Sequence, residues 1–156
     1  MVQPEIQRAC KEDCPLLHKL QIKIFTPLLK KYEDYEISPA AETLERFSAK
    51  FDMPVTDCWN ILLEGERIGG IRIYNFGESC KLSNFFILQE LQNRGIGQQV
   101  IRLVEARYPK AKHWRLETIL QEAKLCHLYE KMGYRKIGDP IPVKPGMDLI
   151  AYEKEV

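Results

Sequence analysis

The residues whose types and spacing suggest chemistry lie in Gln92-Asn93-Arg94-Gly95-Ile96-Gly97-Gln98. Two glycines stand one residue apart there, directly after the apolar run Phe85-Phe86-Ile87-Leu88. Beyond them, Ile96, Val100, Leu103 and Val104 fall at i, i+4, i+7 and i+8, the spacing of one buried helical face. The pattern predicts a strand, a glycine-bearing turn and a helix start. A helix start presents unpaired N–H groups and the positive end of the macrodipole, which together favour an anion. Glycines let that anion approach the backbone with no Cβ in the way. The chemistry suggested is the docking of a pyrophosphate-bearing ligand. Gly-x-Gly also occurs in ordinary loops, so the elements on either side must decide.

Those elements belong to one domain, spanning residues 1–156, with 45% hydrophobic residues, ample for a core. The formal charge of +1 gives no bulk electrostatic case for nucleic acid or an anionic membrane. No apolar run approaches the ~20 residues that span a bilayer. The first residues, Met1-Val2-Gln3-Pro4-Glu5-Ile6, lack the basic and apolar regions of a signal peptide. Five scattered cysteines (Cys10, Cys14, Cys58, Cys80, Cys126) have no histidine cluster at metal-ligand spacing. The expectation is a reduced, cytoplasmic protein without a metal.

Taken in order, Glu5 to Cys10 reads as a strand. Asp13 then reads as an N-cap with Pro15 in the first turn, and Leu17, Leu20, Ile24 and Leu28 form the helix's inner face. Pro27 should kink or end this helix near Phe25. Ser38-Pro39 restarts a helix with Ala40, Leu44, Phe47 and Phe51 inward. After Pro54, three hairpin-linked strands follow: Cys58 to Leu63, Ile68 to Phe76, and Ser79 to Ile87. Gly69-Gly70 within the second of them predicts a bulge or a close backbone approach. The helix from Gly97 should end before Pro109. His113 to Thr118 alternates as a strand, with Trp114, Leu116 and Thr118 on one side and Arg115 and Glu117 on the other. Leu125, Leu128, Tyr129 and Met132 mark a further helix that Gly133 stops. Tyr134 to Gly138 reads as a strand, Asp139 to Gly146 as a proline-rich loop, and Asp148 to Lys154 as a final strand.

This order, with the glycine turn after the fourth strand, resembles the GCN5-related N-acetyltransferase (GNAT) family across nearly the whole chain. The family's Arg/Gln-x-x-Gly-x-Gly/Ala turn stands here as Gln92-Asn93-Arg94-Gly95-Ile96-Gly97. His127-Leu128-Tyr129-Glu130-Lys131-Met132-Gly133-Tyr134 is close to its "LYEKLGF" stretch, and Ala151 to Val156 is a fainter echo. The implied fold is α/β of the α+β type, a mixed and mostly antiparallel sheet of about seven strands with about four helices.

The resemblance implies acetyl-CoA as acyl donor, its pyrophosphate on the backbone amides of Gln92, Asn93, Arg94, Gly95, Ile96, Gly97 and Gln98. Arg94 would add charge complementarity or simply stay solvated. Phe86, Ile87 and Leu88 would pair by main chain with the pantetheine arm, one N–H facing the thioester oxygen. Tyr129 matches the tyrosine that protonates the departing thiolate. A phenol near pKa ~10 suits a thiol of about 8.5, while a core aromatic is the competing role. Glu117 is the first candidate for general base, its competing role an ion pair with Arg115 or a neighbour. Glu33, Asp34 and Glu36 would bind a cationic acceptor or remain a solvated charge run. His113 and His127 read as surface or packing residues, and Cys80 and Cys126 as small buried ones.

Two departures stand out. The family's asparagine at the start of the last helix is replaced by Gln121 or Glu122, and Gln89 stands where a proline is usual. The expected reaction is acetyl transfer to a primary amine by direct attack in a ternary complex. A small cationic or amino-acid-like acceptor is favoured, set by Leu28 to Pro39 and the Asp139 to Met147 loop. A peptide N-terminus or lysine, or a non-catalytic acyl-CoA-binding module, are the alternatives, and a homodimer is compatible with the reading. A dinucleotide-binding enzyme, with Glu117 as ribose-binding acid, fits less well. Val100 replaces its third glycine, and the strands before the turn read as antiparallel.

Overall fold

The computed structural model describes residues 2–156. Seven strands form one sheet: β1 (Glu5–Arg8), β2 (Thr56–Leu63), β3 (Glu66–Asn75), β4 (Ser79–Ile87), β5 (His113–Ile119), β6 (Arg135–Lys144) and β7 (Met147–Glu155). Their order is β1-β2-β3-β4-β5-β7-β6, antiparallel throughout except where β4 meets β5. Four α-helices accompany it: α1 (Cys14–Tyr32), α2 (Leu44–Ala49), α3 (Ile96–Arg107) and α4 (Ala123–Lys131). This is the mixed α/β sheet that the sequence predicts.

Strand alternation divides the core between the two faces of the sheet. Trp59, Ile61, Ile71, Ile73, Leu82, Trp114 and Leu116 pack with Val100, Ile101 and Val104 of α3 and Cys126 and Tyr129 of α4. Cys58 and Phe86 point the other way, against Leu17 and Ile24 of α1 and Phe47 of α2. Helices α3 and α4 on one face and the α1–α2 layer on the other are thus separated by one sheet thickness.

Two irregularities shape the middle of the sheet. Between β3 and β4 the register slips: Gly70 faces Phe86, yet Arg72 faces Ser83. The additional residue on β4 makes a bulge, and Asn84 adopts a left-handed conformation within it (φ 48°). Gly69 is required beside it, because a Cβ there would lie 2.0 Å from the Phe86 carbonyl oxygen. The close approach expected at Gly69-Gly70 is present. Secondly, β4 and β5 pair only through Ser79, Cys80 and Lys81, opposite His113, Trp114 and Arg115. Beyond that point the strands part, leaving one edge of β4 without a neighbour.

The structure corrects several sequence expectations. Helix α1 runs through Pro27 to Tyr32 instead of ending near Phe25. Its buried residues span Cys14 to Tyr32, so docking on the sheet outweighs the ~3 kcal/mol cost of an internal proline. Asp13 is the N-cap residue of α1 as expected, but its carboxylate makes no capping bond; it accepts from Cys10 N (2.9 Å) and Arg67 Nη2 (2.8 Å). Ser38-Pro39 opens only a 3₁₀ turn, and α2 starts later, with Thr43 Oγ1 accepting from Arg46 N at 3.2 Å. Leu44, expected inward, is exposed. The supposed proline-rich loop is most of β6. Pro140 and Pro142 fit because β6 is an outer strand, paired on one side only and with broken register.

Candidate active site

The glycine turn is held by what it joins. Gln92 Nε2 donates to the Ile87 carbonyl at 2.9 Å, tying the turn back to the end of β4. Asn93 (φ 64°) and Gly95 (φ 78°) both take left-handed conformations and swing the chain into α3. A Cβ at Gly95 would meet open space, whereas one at Gly97 would meet Leu128 Cδ2 of α4 at 3.4 Å. The two glycines therefore serve different ends: Gly95 makes the bend, and Gly97 lets α3 sit close to α4 and Phe85.

The result is a row of free donors. Among the described residues, none of the backbone N–H groups of Asn93, Arg94, Gly95, Ile96, Gly97 and Gln98 has a hydrogen-bond acceptor. Arg94 and Asn93 are exposed beside them, and Gln98 is half-buried. Consecutive unpaired amides at the start of a three-turn helix form a cradle for a polyanion. The pyrophosphate of coenzyme A fits that donor set.

Along the strand edge, the Leu88 N–H is already engaged, donating to the Ile68 carbonyl at 2.9 Å. Alternation in an antiparallel ladder then turns the Ile87 N–H to the other edge, towards the opening between β4 and β5. Phe86 and Ile87 are both buried, on opposite faces. Of the three residues predicted to meet a pantetheine arm, Ile87 is the one whose amide the ladder leaves free.

Tyr129 lies in a cluster of three tyrosines, its ring 6.1 Å from that of Tyr134 and 6.2 Å from that of Tyr152. Tyr134 donates to Glu105 Oε2 at 2.9 Å and Tyr152 to Glu130 Oε2 at 2.6 Å. The Tyr129 hydroxyl has no such partner among the described residues. Burial, with Cys126 beside it, pushes this phenol above its ordinary value, so it holds its proton at neutral pH.

On the opposite face of the sheet, next to the bulge, is a pocket of about 390 Å³. It is lined by Tyr35 to Pro39, by Glu42, Arg46 and Lys50 around α2, and by Arg72, Ser83 and Asn84 on the strands. Asn84 Nδ2 donates to Gln21 Oε1 of α1 at 2.7 Å, fixing the bulge to the helix. Glu42 accepts from Gln21 Nε2 at 3.0 Å and from Lys50. Burial alone would raise the Glu42 carboxyl; those hydrogen bonds and the charges of Lys50 and Arg72 hold it below the usual range. Arg72, only 4% exposed, has no oxygen acceptor and no ion-pair partner among the described residues; the Cys58 thiol lies against it, and its Nε is buried and unpartnered.

Glu117 stands on β5 two residues past its last pairing with β4. Extending the register places it across the opening from Ser83, on the pocket's face of the sheet. Lys81 Nζ donates to its Oε1 at 2.8 Å; this lysine, not Arg115, is its partner. Of the acidic run, only Glu36 reaches the pocket, while Glu33 caps the end of α1. Glu122, the N-cap residue of α4, accepts from Lys31 Nζ at 2.7 Å and from the Tyr32 hydroxyl. It thus clasps the end of α1 to the start of α4.

Sequence reasoning does not single out Arg72, Arg46, Lys50, Ser83 or Asn84. They come from three separate segments, and spacing along the chain cannot bring them together. One signal is present: an arginine between Ile71 and Ile73 in a strand buried on both faces.

Comparison with known proteins agrees with this geometry. The profile of the acetyltransferase (GNAT) domain matches residues 54–136. Among curated proteins, none matches the sequence. Solved structures share the fold. An acetyltransferase from Thermus thermophilus is 19% identical, covering 99% of this chain and 97% of its own, with a TM-score of 0.75. AAC(6')-Ib in complex with ribostamycin and coenzyme A is 13% identical over 98% and 93%, with a TM-score of 0.75. A Salmonella typhimurium acetyltransferase that modifies the N-terminal serine of ribosomal protein L7/L12 is 13% identical over 99% and 95%, also at 0.75. The chain belongs to the GNAT family of acetyltransferases, enzymes that take their acetyl group from acetyl-CoA.

Proposed function

We propose that this chain transfers the acetyl group of acetyl-CoA to a small primary amine by direct attack in a ternary complex. The observation that carries the reading is the run of unpartnered amides from Asn93 to Gln98. Gln92 would position that run against the strand, with Arg94 adding charge at its exposed rim. Acetyl-CoA supplies an acyl carbon already activated by a thiol leaving group. The Ile87 N–H, on the open edge of β4, would donate to the thioester oxygen as charge builds there; Phe86 and Leu88 hold the strand end by packing and by the bond to Ile68. Tyr129 would hand its proton to the departing sulfur, for which its free hydroxyl and retained proton suit it. Glu117, across from Ser83 at the pocket's edge, would accept the ammonium proton through water, with Lys81 orienting the carboxylate.

A pocket of this size suits a small amine better than a folded protein surface. A peptide N-terminus or lysine remains the alternative acceptor. The five free cysteines, four of them buried, suit a reducing compartment such as the cytoplasm. The test pairs calorimetry of acetyl-CoA binding with thiol release over a panel of amines. Binding together with turnover of at least one amine supports the reading. Binding without turnover of any amine assigns a non-catalytic acyl-CoA module instead.

A further inference from the structure

We infer that the amine acceptor carries an oxyanion of the amino-acid kind, a carboxylate held by Arg72 on the floor of the α1–α2 pocket. The inference rests on the acetyltransferase reading and names the substrate class of that same pocket.

A guanidinium is always charged and offers five N–H donors, so burying it without acceptors is costly. Arg72 is buried to 4% exposure in the wall of the pocket, with an unpartnered Nε. The nearby carboxylate is turned to other partners. Glu42 Oε1 accepts from Gln21 and Oε2 from Lys50, it makes no hydrogen bond or ion pair with Arg72, and Arg72 acts on it through its field. The other polar group at its side is the Cys58 thiol, too weak an acceptor to replace a carboxylate. With Glu42 and Lys50 neutralising each other, the charges left around the pocket are Arg72, the exposed Arg46 and the exposed Glu36. The floor is therefore cationic. A diamine would bring its second ammonium against that guanidinium, whereas a carboxylate would receive a paired set of N–H donors.

The sheet register sets where the other end of such a molecule would lie. Cys58, Arg72 and Ser83 form one row across β2, β3 and β4, and Glu117 continues it across the opening. Adjacent strands are about 4.8 Å apart, so a short zwitterion anchored at Arg72 would extend its amine towards the open edge of β4. Anchor and reaction edge are neighbouring strands of one rigid sheet.

The experiment compares each common L-amino acid with its carboxamide, alongside an aminophosphonate and a diamine lacking any oxyanion, by thiol release from acetyl-CoA. Some free amino acids should be acetylated about 100-fold more efficiently than their amides, because the amide leaves the buried guanidinium unpaired. Arg72→Gln should abolish that preference through the acceptor KM while acetyl-CoA affinity, read by calorimetry, stays unchanged. Arg46→Gln, on the exposed face of α2 where refolding is not at issue, should weaken the preference several-fold. An aminophosphonate preferred to every carboxylate would overturn the carboxylate assignment. Amides or diamines acetylated as efficiently as acids by the unmodified enzyme, or a preference surviving in an Arg72→Gln protein that still binds acetyl-CoA, would overturn the proposal. Failure to bind acetyl-CoA at all would sink the donor reading beneath it, and is recognised before any acceptor is added.

Discussion

The two sides of the proposed reaction centre are built from different materials. The donor side is mostly main chain: six free amides, a left-handed Gly95 and a strand edge exposed where β4 and β5 part. The acceptor side is mostly side chain: Arg72, Arg46, Glu42, Lys50 and Asn84, drawn from a strand pair and a broken helix. A backbone cradle tolerates changes of residue type as long as the bend survives. A side-chain pocket can be respecified by a single substitution.

The contrast can be broken most sharply at Tyr129, the donor-side side chain proposed to take part in the chemistry itself. Tyr129→Phe should lower turnover about 10²- to 10⁴-fold while leaving acetyl-CoA affinity and melting temperature unchanged, since the lost hydroxyl has no protein partner. Tyr134→Phe and Tyr152→Phe should do the reverse, costing stability by removing a hydrogen bond each from Glu105 and Glu130 with no comparable loss in turnover. Equal kinetic losses in all three would assign Tyr129 to packing.

Gly95→Val comes next in size. A branched residue at φ 78° is strained by about 1–3 kcal/mol, so acetyl-CoA affinity by calorimetry should fall about tenfold or more. Gly97→Ala should be milder, because its new methyl meets Leu128 at an ordinary 3.4 Å. If Gly97→Ala proved the worse of the two, the division of labour between these glycines would be wrong. For Glu117→Gln, kcat should fall with the acceptor KM little changed. A kcat that stays at the native value would return Glu117 to a plain ion pair with Lys81.

The smallest effect belongs to the clasp between the two sides. Burial favours the neutral Glu122 carboxyl, but hydrogen bonds from Lys31 and Tyr32 prevail and hold it below its ordinary value. A depressed folded-state value contributes stability above the unfolded pKa of about 4.3, and that contribution fades as the pH falls through the folded value. Glu122→Gln should therefore melt a few degrees lower than the native chain at neutral pH, no more than about 4 °C, and converge with it in acid. Melting curves across that range check it.

The same division governs what the sequence discloses. Main-chain features leave local marks: the Gly95-Ile96-Gly97 pattern, the alternation of His113 to Thr118, and the stripe through Leu125 and Tyr129 all lie in the elements expected. Local rules fail where tertiary contact overrides them. Pro27 by itself predicts a kink or a stop, yet α1 continues through it to Tyr32. Pro140 and Pro142 predict a loop, yet an outer strand accommodates them. The acceptor pocket leaves almost no mark, since Arg72 meets Glu42 and Asn84 only after the sheet has formed and the β4 bulge has shifted its register. The tie from Glu122 to Tyr32, 90 residues apart, is likewise beyond local pattern.

A buried guanidinium whose Nε has no acceptor has one more consequence, for how the natural acceptor can be found. Burial penalises Arg72 in the folded chain, and a molecule that pairs with it binds the folded chain alone. Such a ligand at a hundred times its dissociation constant raises the unfolding free energy by about 2.7 kcal/mol. A library of metabolites screened by thermal melting, with no acyl donor present and no reaction to follow, should therefore single out its own substrate.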